Sequence, residues 1–190
     1  MSGKCRLKLG VRRLLGVIAV GTLATLGFAG VASANHTDSP APAPYQDSAW
    51  GAGTFCQPGG GPFCALFHTN AKSDFDGSNP QGTGFAHITA GGDRVADVYV
   101  RVTCLNVVGN QAVVGSEITM SSNPGFLPPG IGALAQYTDN GEPGSNSTTP
   151  DRGFATPVPT PPVVCPPPGF FPDEPVTQGN FVVHDALVAP

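Results

Sequence analysis

Four oxygen-bearing side chains lie close together in the segment 139–151. Asp139, Asn140, Glu142 and Asp151 stand among glycine, proline and serine residues, and they offer the hard oxygen ligands that Ca²⁺ prefers. Their spacing does not follow the twelve-residue EF-hand pattern, and Asp, Asn and Gly are also the residues that build turns. The segment therefore supports two hypotheses, which are weak calcium binding and a connecting loop without a ligand.

Histidine, serine and aspartate side chains could together perform hydrolysis. His68, His87 and His184 fall on three different predicted strands, and Ser116 or Asp185 could serve as a partner for one of them. The sequence contains neither a GxSxG nucleophile elbow nor an HExxH zinc motif. A secreted hydrolase is therefore kept as the alternative function, and no catalytic residue is assigned.

Aromatic side chains near the start of the predicted domain offer a third kind of chemistry, which is stacking on sugar rings. Tyr45, Trp50, Phe55 and Phe63 form this group. The alternative is that they cover one end of a sheet as part of the core. On the first reading, the protein is a binding module for an extracellular or cell-wall ligand.

Four cysteines follow residue 34, the end of the signal peptide predicted below. An even number of cysteines in an exported chain predicts two disulfides. Three pairings are open. We favour Cys56–Cys64 and Cys104–Cys165, because CQPGGGPFC is a Gly/Pro-rich turn whose two ends can meet. In the chain-entropy model the short loop contributes about 2.6 kcal/mol and the long loop about 4.3 kcal/mol. A metal site is disfavoured, since the spacings include no CxxC pair.

The first 34 residues predict a secretory signal peptide. Basic residues precede residue 14, an uncharged apolar run covers 14–29, and Ala32-Ser33-Ala34 fits a cleavage site before Asn35. The apolar run is shorter than the about 20 residues of a membrane-spanning helix, so we expect a secreted protein with no membrane span after cleavage. Residues 35–49 are then a flexible Pro/Ala-rich leader, and residues 50–190 form one β domain with a Pro-rich segment at about 155–175.

Composition excludes one class of partner. Of nine Lys and Arg residues, five precede residue 14, which leaves four against thirteen Asp and Glu. A chain with this balance has no basic surface for nucleic acid. The 26 glycines and 21 prolines also disfavour long helices, because both residues destabilise a helix interior.

The strongest structural signal is the alternation of residues 94–108. Val98, Val100, Val102 and Cys104 alternate with polar residues, which predicts a half-buried strand with Cys104 on the valine face. Gly109-Asn110 then predicts a two-residue hairpin turn. Six segments fit strands in this way: 63–71, 83–89, 94–108, 111–120, 133–139 and 179–188. The prediction is an all-β fold, a single antiparallel sandwich or a small, partly open barrel of about six strands with two disulfides and no substantial helix.

Several motifs taken together resemble a known group of proteins. The stretches VTCLNVVGNQAVVGSEIT, DNGEPGSNSTTPDR and GNFVVHDA are similar to those of small exported actinobacterial proteins, over about residues 71–186. The resemblance implies export and a β-rich domain, and it carries no assigned activity. The sequence thus predicts a secreted, non-enzymatic binding or structural protein.

Overall fold

The computed structural model describes residues 46–141 and 149–186. This part of the chain contains nine strands and one 3₁₀ turn at Pro58–Gly60. The strands are β1 (Gln46–Cys56), β2 (Phe63–Asp74), β3 (Gln81–Ala90), β4 (Asp93–Val108), β5 (Gln111–Ser121), β6 (Gly132–Thr138), β7 (Arg152–Val158), β8 (Glu174–Pro175) and β9 (Gln178–His184). The predicted all-β class is confirmed.

The predicted number of about six strands is wrong. β7 and β8 lie in the Pro-rich segment, and β1 begins at Gln46, inside the segment 35–49 that the composition predicts as a leader. β1 lacks the alternation of branched and polar residues that marks a strand, and it forms because β2 and β9 pair with its two edges. β7 tolerates Pro157 because beyond Gly153 only β6 pairs with it.

All nine strands belong to one antiparallel sheet with the order β8-β7-β6-β5-β4-β3-β2-β1-β9. Consecutive strands are neighbours from β1 to β8, and β9 returns to pair with β1. The sheet curls into a half-barrel, so that Tyr137 of β6 stacks on Phe181 of β9 with ring centroids 4.3 Å apart, although five strands separate them in the sheet. The curl creates a concave face, which is the interior of the half-barrel, and a convex face.

Glycine permits the curl where strands approach each other most closely. Gly51 in β1 and Gly82 in β3 have φ angles of +139° and +142°, which other residues rarely adopt. A Cβ atom at either position would overlap a backbone oxygen of the neighbouring strand, Asn180 or Asn70. A larger residue at either position would therefore push the neighbouring strand away.

Two hydrophobic clusters fill the concave face. The larger cluster contains buried residues from β1, β2, β4, β5, β6 and β9, with Tyr137, Phe55 and Phe181 as its largest members. The smaller cluster contains residues from β3, β4 and β5, and Leu127 from the β5–β6 loop joins it. Phe67 packs against both clusters.

A β-bulge at Thr103 changes the face on which β4 places its side chains. Val102 pairs with Ser116, but Cys104 pairs with Gly115, so Thr103 is an extra residue on β4. Cys104 is buried as expected, yet it packs on the convex face with Val113 and Cys165. The prediction that Cys104 shares the valine face is therefore wrong, because a bulge shifts the period-two alternation by one residue.

A Pro-rich strap, defined here as residues 159–173, covers the convex face of β4, β5 and β6. Proline has no N–H to pair as a strand, and side chains of the sheet bond to the strap instead. Thr103 Oγ1 donates to the Pro162 carbonyl over 2.6 Å, and Asn106 Nδ2 donates to that of Pro166 over 3.2 Å. Gln136, only 1 % exposed, donates to the Phe171 carbonyl and accepts from Gly169 N–H. The strap thus completes a second, thinner core on the convex side.

Both disulfides are present with the pairing that the sequence analysis favours. Cys56–Cys64 joins the ends of the β1–β2 turn, and Cys104–Cys165 ties the strap to β4. The two bridges therefore differ in purpose, since the first closes a local turn and the second holds a segment 61 residues distant in sequence.

Removal of the long disulfide should cost more stability than removal of the short one. The double variant Cys104→Ala/Cys165→Ala is expected to lose about 4 kcal/mol of unfolding free energy, and Cys56→Ala/Cys64→Ala about 2.6 kcal/mol, because the longer loop restricts the unfolded chain more. Urea denaturation measures both values. Equal losses, or a larger loss for the short bridge, would contradict this account.

Candidate functional site

The structure brings three of the four candidate calcium ligands together, but it gives them backbone partners. Asp151 Oδ1 accepts from Asn140 N–H over 2.9 Å, and Asp151 Oδ2 accepts from Phe181 N–H over 2.7 Å. Asp139 Oδ1 accepts from Gly141 N–H, and Asp139 Oδ2 from Val183 N–H over 3.0 Å. Asn140 Nδ2 donates to the carbonyl of Pro150. Glu142 lies outside the described residues.

These contacts have a structural consequence at β9. β9 pairs with β1 along one edge, and the N–H groups of Phe181 and Val183 point away from β1. Backbone donors at a strand edge need acceptors, and here the acceptors are two carboxylates from the β6–β7 connection. Asp139 and Asp151 therefore join the two ends of the curled sheet. The calcium hypothesis stays a prediction; residues 46–141 and 149–186 contain no group of three or more His, Cys, Asp or Glu side chains arranged to hold a metal ion.

The variant Asp151→Asn should destabilise the fold, because the new amide places a donor against a backbone donor. We expect a loss of about 1–3 kcal/mol in unfolding free energy. Asp93→Asn, at the exposed first position of β4, is the matched control and should change stability by less than about 0.5 kcal/mol. Similar losses in the two variants would refute the closing role of Asp151. Melts in added calcium and in chelator, compared for the wild type, test the calcium hypothesis in the same series.

The candidate hydrolytic residues lie on opposite faces of the sheet. Ser116 is buried on the concave face, where its Oγ donates to the Ala133 carbonyl. His68 and His87 lie on the convex face, and His87 Nδ1 is 2.6 Å from Asp97 Oδ1. The Asp185 carboxylate accepts from Gly109 N–H. The sheet therefore separates Ser116 from His68 and His87, and His184 lies on β9 opposite Ser48 of β1.

The three candidate sugar-binding aromatics that the structure describes do not form one exposed surface. Phe55 is buried and stacks on Phe67, with ring centroids 4.6 Å apart, and Phe63 stacks on Phe126. Trp50 is 42 % exposed, and Tyr45 lies outside the described residues. The alternative reading as core is therefore correct for Phe55.

A cavity of about 120 Å³ lies on the concave face between the two hydrophobic clusters. Its walls include Val114 and Tyr137 from the larger cluster, and Val98 and Ile118 from the smaller one. None of the described residues that line it carries a carboxylate, an amine or a thiol, and the imidazole of His68 faces the convex side. The cavity is thus a space within the hydrophobic interior of the half-barrel.

Small side chains leave this space open. Gly84, Ser116, Ala133, Ala135 and Ala155 contribute to its wall, on β3, β5, β6 and β7. Along β6 the concave positions 133 and 135 are both alanine, whereas the convex positions 134 and 136 carry leucine and glutamine. That contrast within one strand is the sequence signal that could have revealed the cavity.

The β5–β6 loop, residues 122–131, covers one side of the cavity through Leu127. Leu127 is buried and packs into the smaller cluster. Asn123 fixes the loop, because its carbonyl accepts from Leu127 N–H and its Nδ2 donates to the Val95 carbonyl. Leu127, which lines one side of the cavity, is therefore held by a hydrogen-bonded turn.

One pair of hydroxyl groups lies in the cavity wall. Thr69 Oγ1 on β2 and the Tyr137 hydroxyl on β6 are 2.6 Å apart, across the concave face. Burial raises the pKa of Tyr137 to about 12, and the hydrogen bond with Thr69 opposes part of that rise. The phenol is therefore held neutral as a hydrogen-bonding group.

The chain matches no protein-family model, no curated protein and no solved structure. Among the described residues, none forms a helix with the length and hydropathy needed to cross a membrane. The function must therefore be argued from the site itself.

The raised pKa of Tyr137 predicts a loss of stability in alkali. The pKa of Tyr137 in the folded protein, about 12, exceeds the ordinary value of 10. The contribution of the neutral phenol to the unfolding free energy is therefore complete below pH 10 and is lost as the pH rises through 12. At pH 11 this group should lower the unfolding free energy by about 1.4 kcal/mol relative to pH 8. Urea denaturation at both pH values measures the fall. Tyr137→Phe should reduce it, and an unchanged fall in that variant would contradict the assignment.

Proposed function

We propose that the protein is an exported binding protein that holds a small apolar molecule inside its half-barrel. The observation that carries this proposal is the apolar cavity of about 120 Å³ between the two core clusters. An engineered apolar cavity of about 150 Å³ in another protein takes up benzene, so this volume suits a ligand of similar size. The chemistry of the wall favours an uncharged ligand, since an unpaired charge would be desolvated there.

The energetic cost of the cavity supports a binding role. At about 24 cal/mol per Å³, a cavity of this volume costs about 3 kcal/mol of stability relative to a filled core. Side chains larger than alanine at positions 135 and 155 would fill part of it. An apolar ligand in the cavity would make the contacts that such side chains would make, with no change to the sequence.

The placement of His68 favours binding over hydrolysis, because this histidine belongs to the wall but its imidazole faces the convex side, away from Ser116. Ser116 is the wall residue nearest to a nucleophile in type, and its hydroxyl bonds to a backbone carbonyl.

Secretion is part of the proposal. It rests on the N-terminal pattern in the sequence, and the two disulfides are consistent with an oxidising compartment.

Benzene is a suitable first probe, and a variant that fills the cavity is its control. With benzene at ten times its dissociation constant, the unfolding free energy of the wild type should rise by about 1.4 kcal/mol. Ala155→Leu places an isobutyl group in the cavity and should abolish the rise, whereas Ala52→Leu, on the convex face, should retain it. Thermal melts with and without benzene measure these changes.

Two outcomes would refute the proposal. One is a wild type whose melting curve does not respond to benzene, which would favour a structural role for the domain. The other is an equal response in Ala155→Leu and Ala52→Leu, which would place benzene outside the cavity. If Ala155→Leu folds poorly, Ala135→Val is a smaller change in the same wall.

A further inference from the structure

We infer that the cavity is specific for molecules that carry one hydrogen-bond acceptor, such as a carbonyl oxygen, on a small apolar body. This inference rests on the proposed function and concerns the hydroxyl pair of Thr69 and Tyr137. The pair is the feature of the wall that can offer a hydrogen to a ligand, since the Ser116 hydroxyl already donates to a backbone carbonyl.

The hydroxyl pair offers a donor because it has two hydrogens and its internal bond uses one. Each hydroxyl carries one hydrogen, and the bond of 2.6 Å between the two oxygens uses one of them. Whichever group donates within the pair, the hydrogen of the other group is left over. Within residues 46–141 and 149–186, neither hydroxyl has another hydrogen-bond partner. Tyr137 is buried and Thr69 is half-buried, so a donor left here without an acceptor is unfavourable, and a ligand oxygen in the cavity would supply the acceptor.

The remaining wall groups narrow the ligand class further. Ser116 Oγ bonds to the Ala133 carbonyl, and Thr83 and Thr156 occupy positions whose side chains face the convex side. A second acceptor on the ligand would therefore find no free donor among these groups and would lose its bonds to water. One acceptor and no charge is the composition that fits, as in a small ketone, aldehyde or ester.

The test compares two ligands of nearly the same shape, cyclohexanone and methylenecyclohexane, in which C=O replaces C=CH₂. Water solvates the ketone better, so absolute affinities do not isolate the hydrogen bond. The informative quantity is the ratio of the two affinities, compared between the wild type and the variant Thr69→Val/Tyr137→Phe. We expect the ratio to shift against the ketone by about tenfold in the double variant, which is the usual effect of one hydrogen bond.

The single variants are matched controls. Thr69→Val and Tyr137→Phe each leave one hydroxyl with a free hydrogen, so each should keep most of the preference. A substitution that merely loosened the core would lower the affinity for both ligands in every variant and leave the ratio of the two affinities unaltered.

An infrared measurement makes the test independent of the double variant's folding. The carbonyl band of cyclohexanone bound to the wild type should lie at lower wavenumber than in an alkane solvent, because a donated hydrogen bond weakens C=O. A band at the alkane position, or an affinity ratio unchanged in the double variant, would overturn the inference while the cavity remains a binding site. If neither ligand binds the wild type, the proposed function itself fails.

Discussion

The half-barrel depends on the bonds between two aspartates and the free edge of β9. Without them, the sheet would end in a strand whose N–H groups face outward, and such an edge pairs with other chains. Asp151 and Asp139 supply acceptors for Phe181 and Val183, and the same bonds bring Phe181 against Tyr137. Closure of the edge and burial of the aromatic core are therefore one event. The concave interior, including the cavity, exists because the curled sheet is held in this way.

The bulge at Thr103 gives the fold its second core. Because it shifts the alternation of β4 by one residue, Leu105 joins Val102 on the concave face while Cys104 faces the strap. The strap cannot contribute a regular strand, since its prolines lack donors. It is held instead by the disulfide and by side chains such as Gln136, whose amide bonds to the strap in both directions. One irregular residue thus allows a single sheet to be covered on both faces.

Local patterns revealed much of the fold and little of the candidate site. The alternation of residues 94–108, the Gly109-Asn110 turn and the cysteine spacing each depend on neighbours in the chain, and they identified the central hairpin and the disulfides. β1 and β7 were missed because pairing with distant strands, not their own composition, makes them strands. Asp139 and Asp151 were recognised as oxygen ligands, but their partners on β9 are 44 and 30 residues away. A cavity is harder still to predict from sequence, because it forms where small side chains from several different strands face the same space.

The cavity and the hydroxyl pair are better explained together than separately. A core selected only for stability would fill the space beside Ala135 and Ala155, and it would replace Tyr137 by phenylalanine to avoid a buried donor. The chain does neither, although Phe67, Phe55 and Phe181 show that it packs large aromatic rings in the same interior. An unfilled volume alone would suit any apolar molecule, and a spare hydrogen alone would suit a water. Side by side in one wall, they are the two features on which the proposed ligand class rests, an apolar surface and one hydrogen-bond donor at a fixed point.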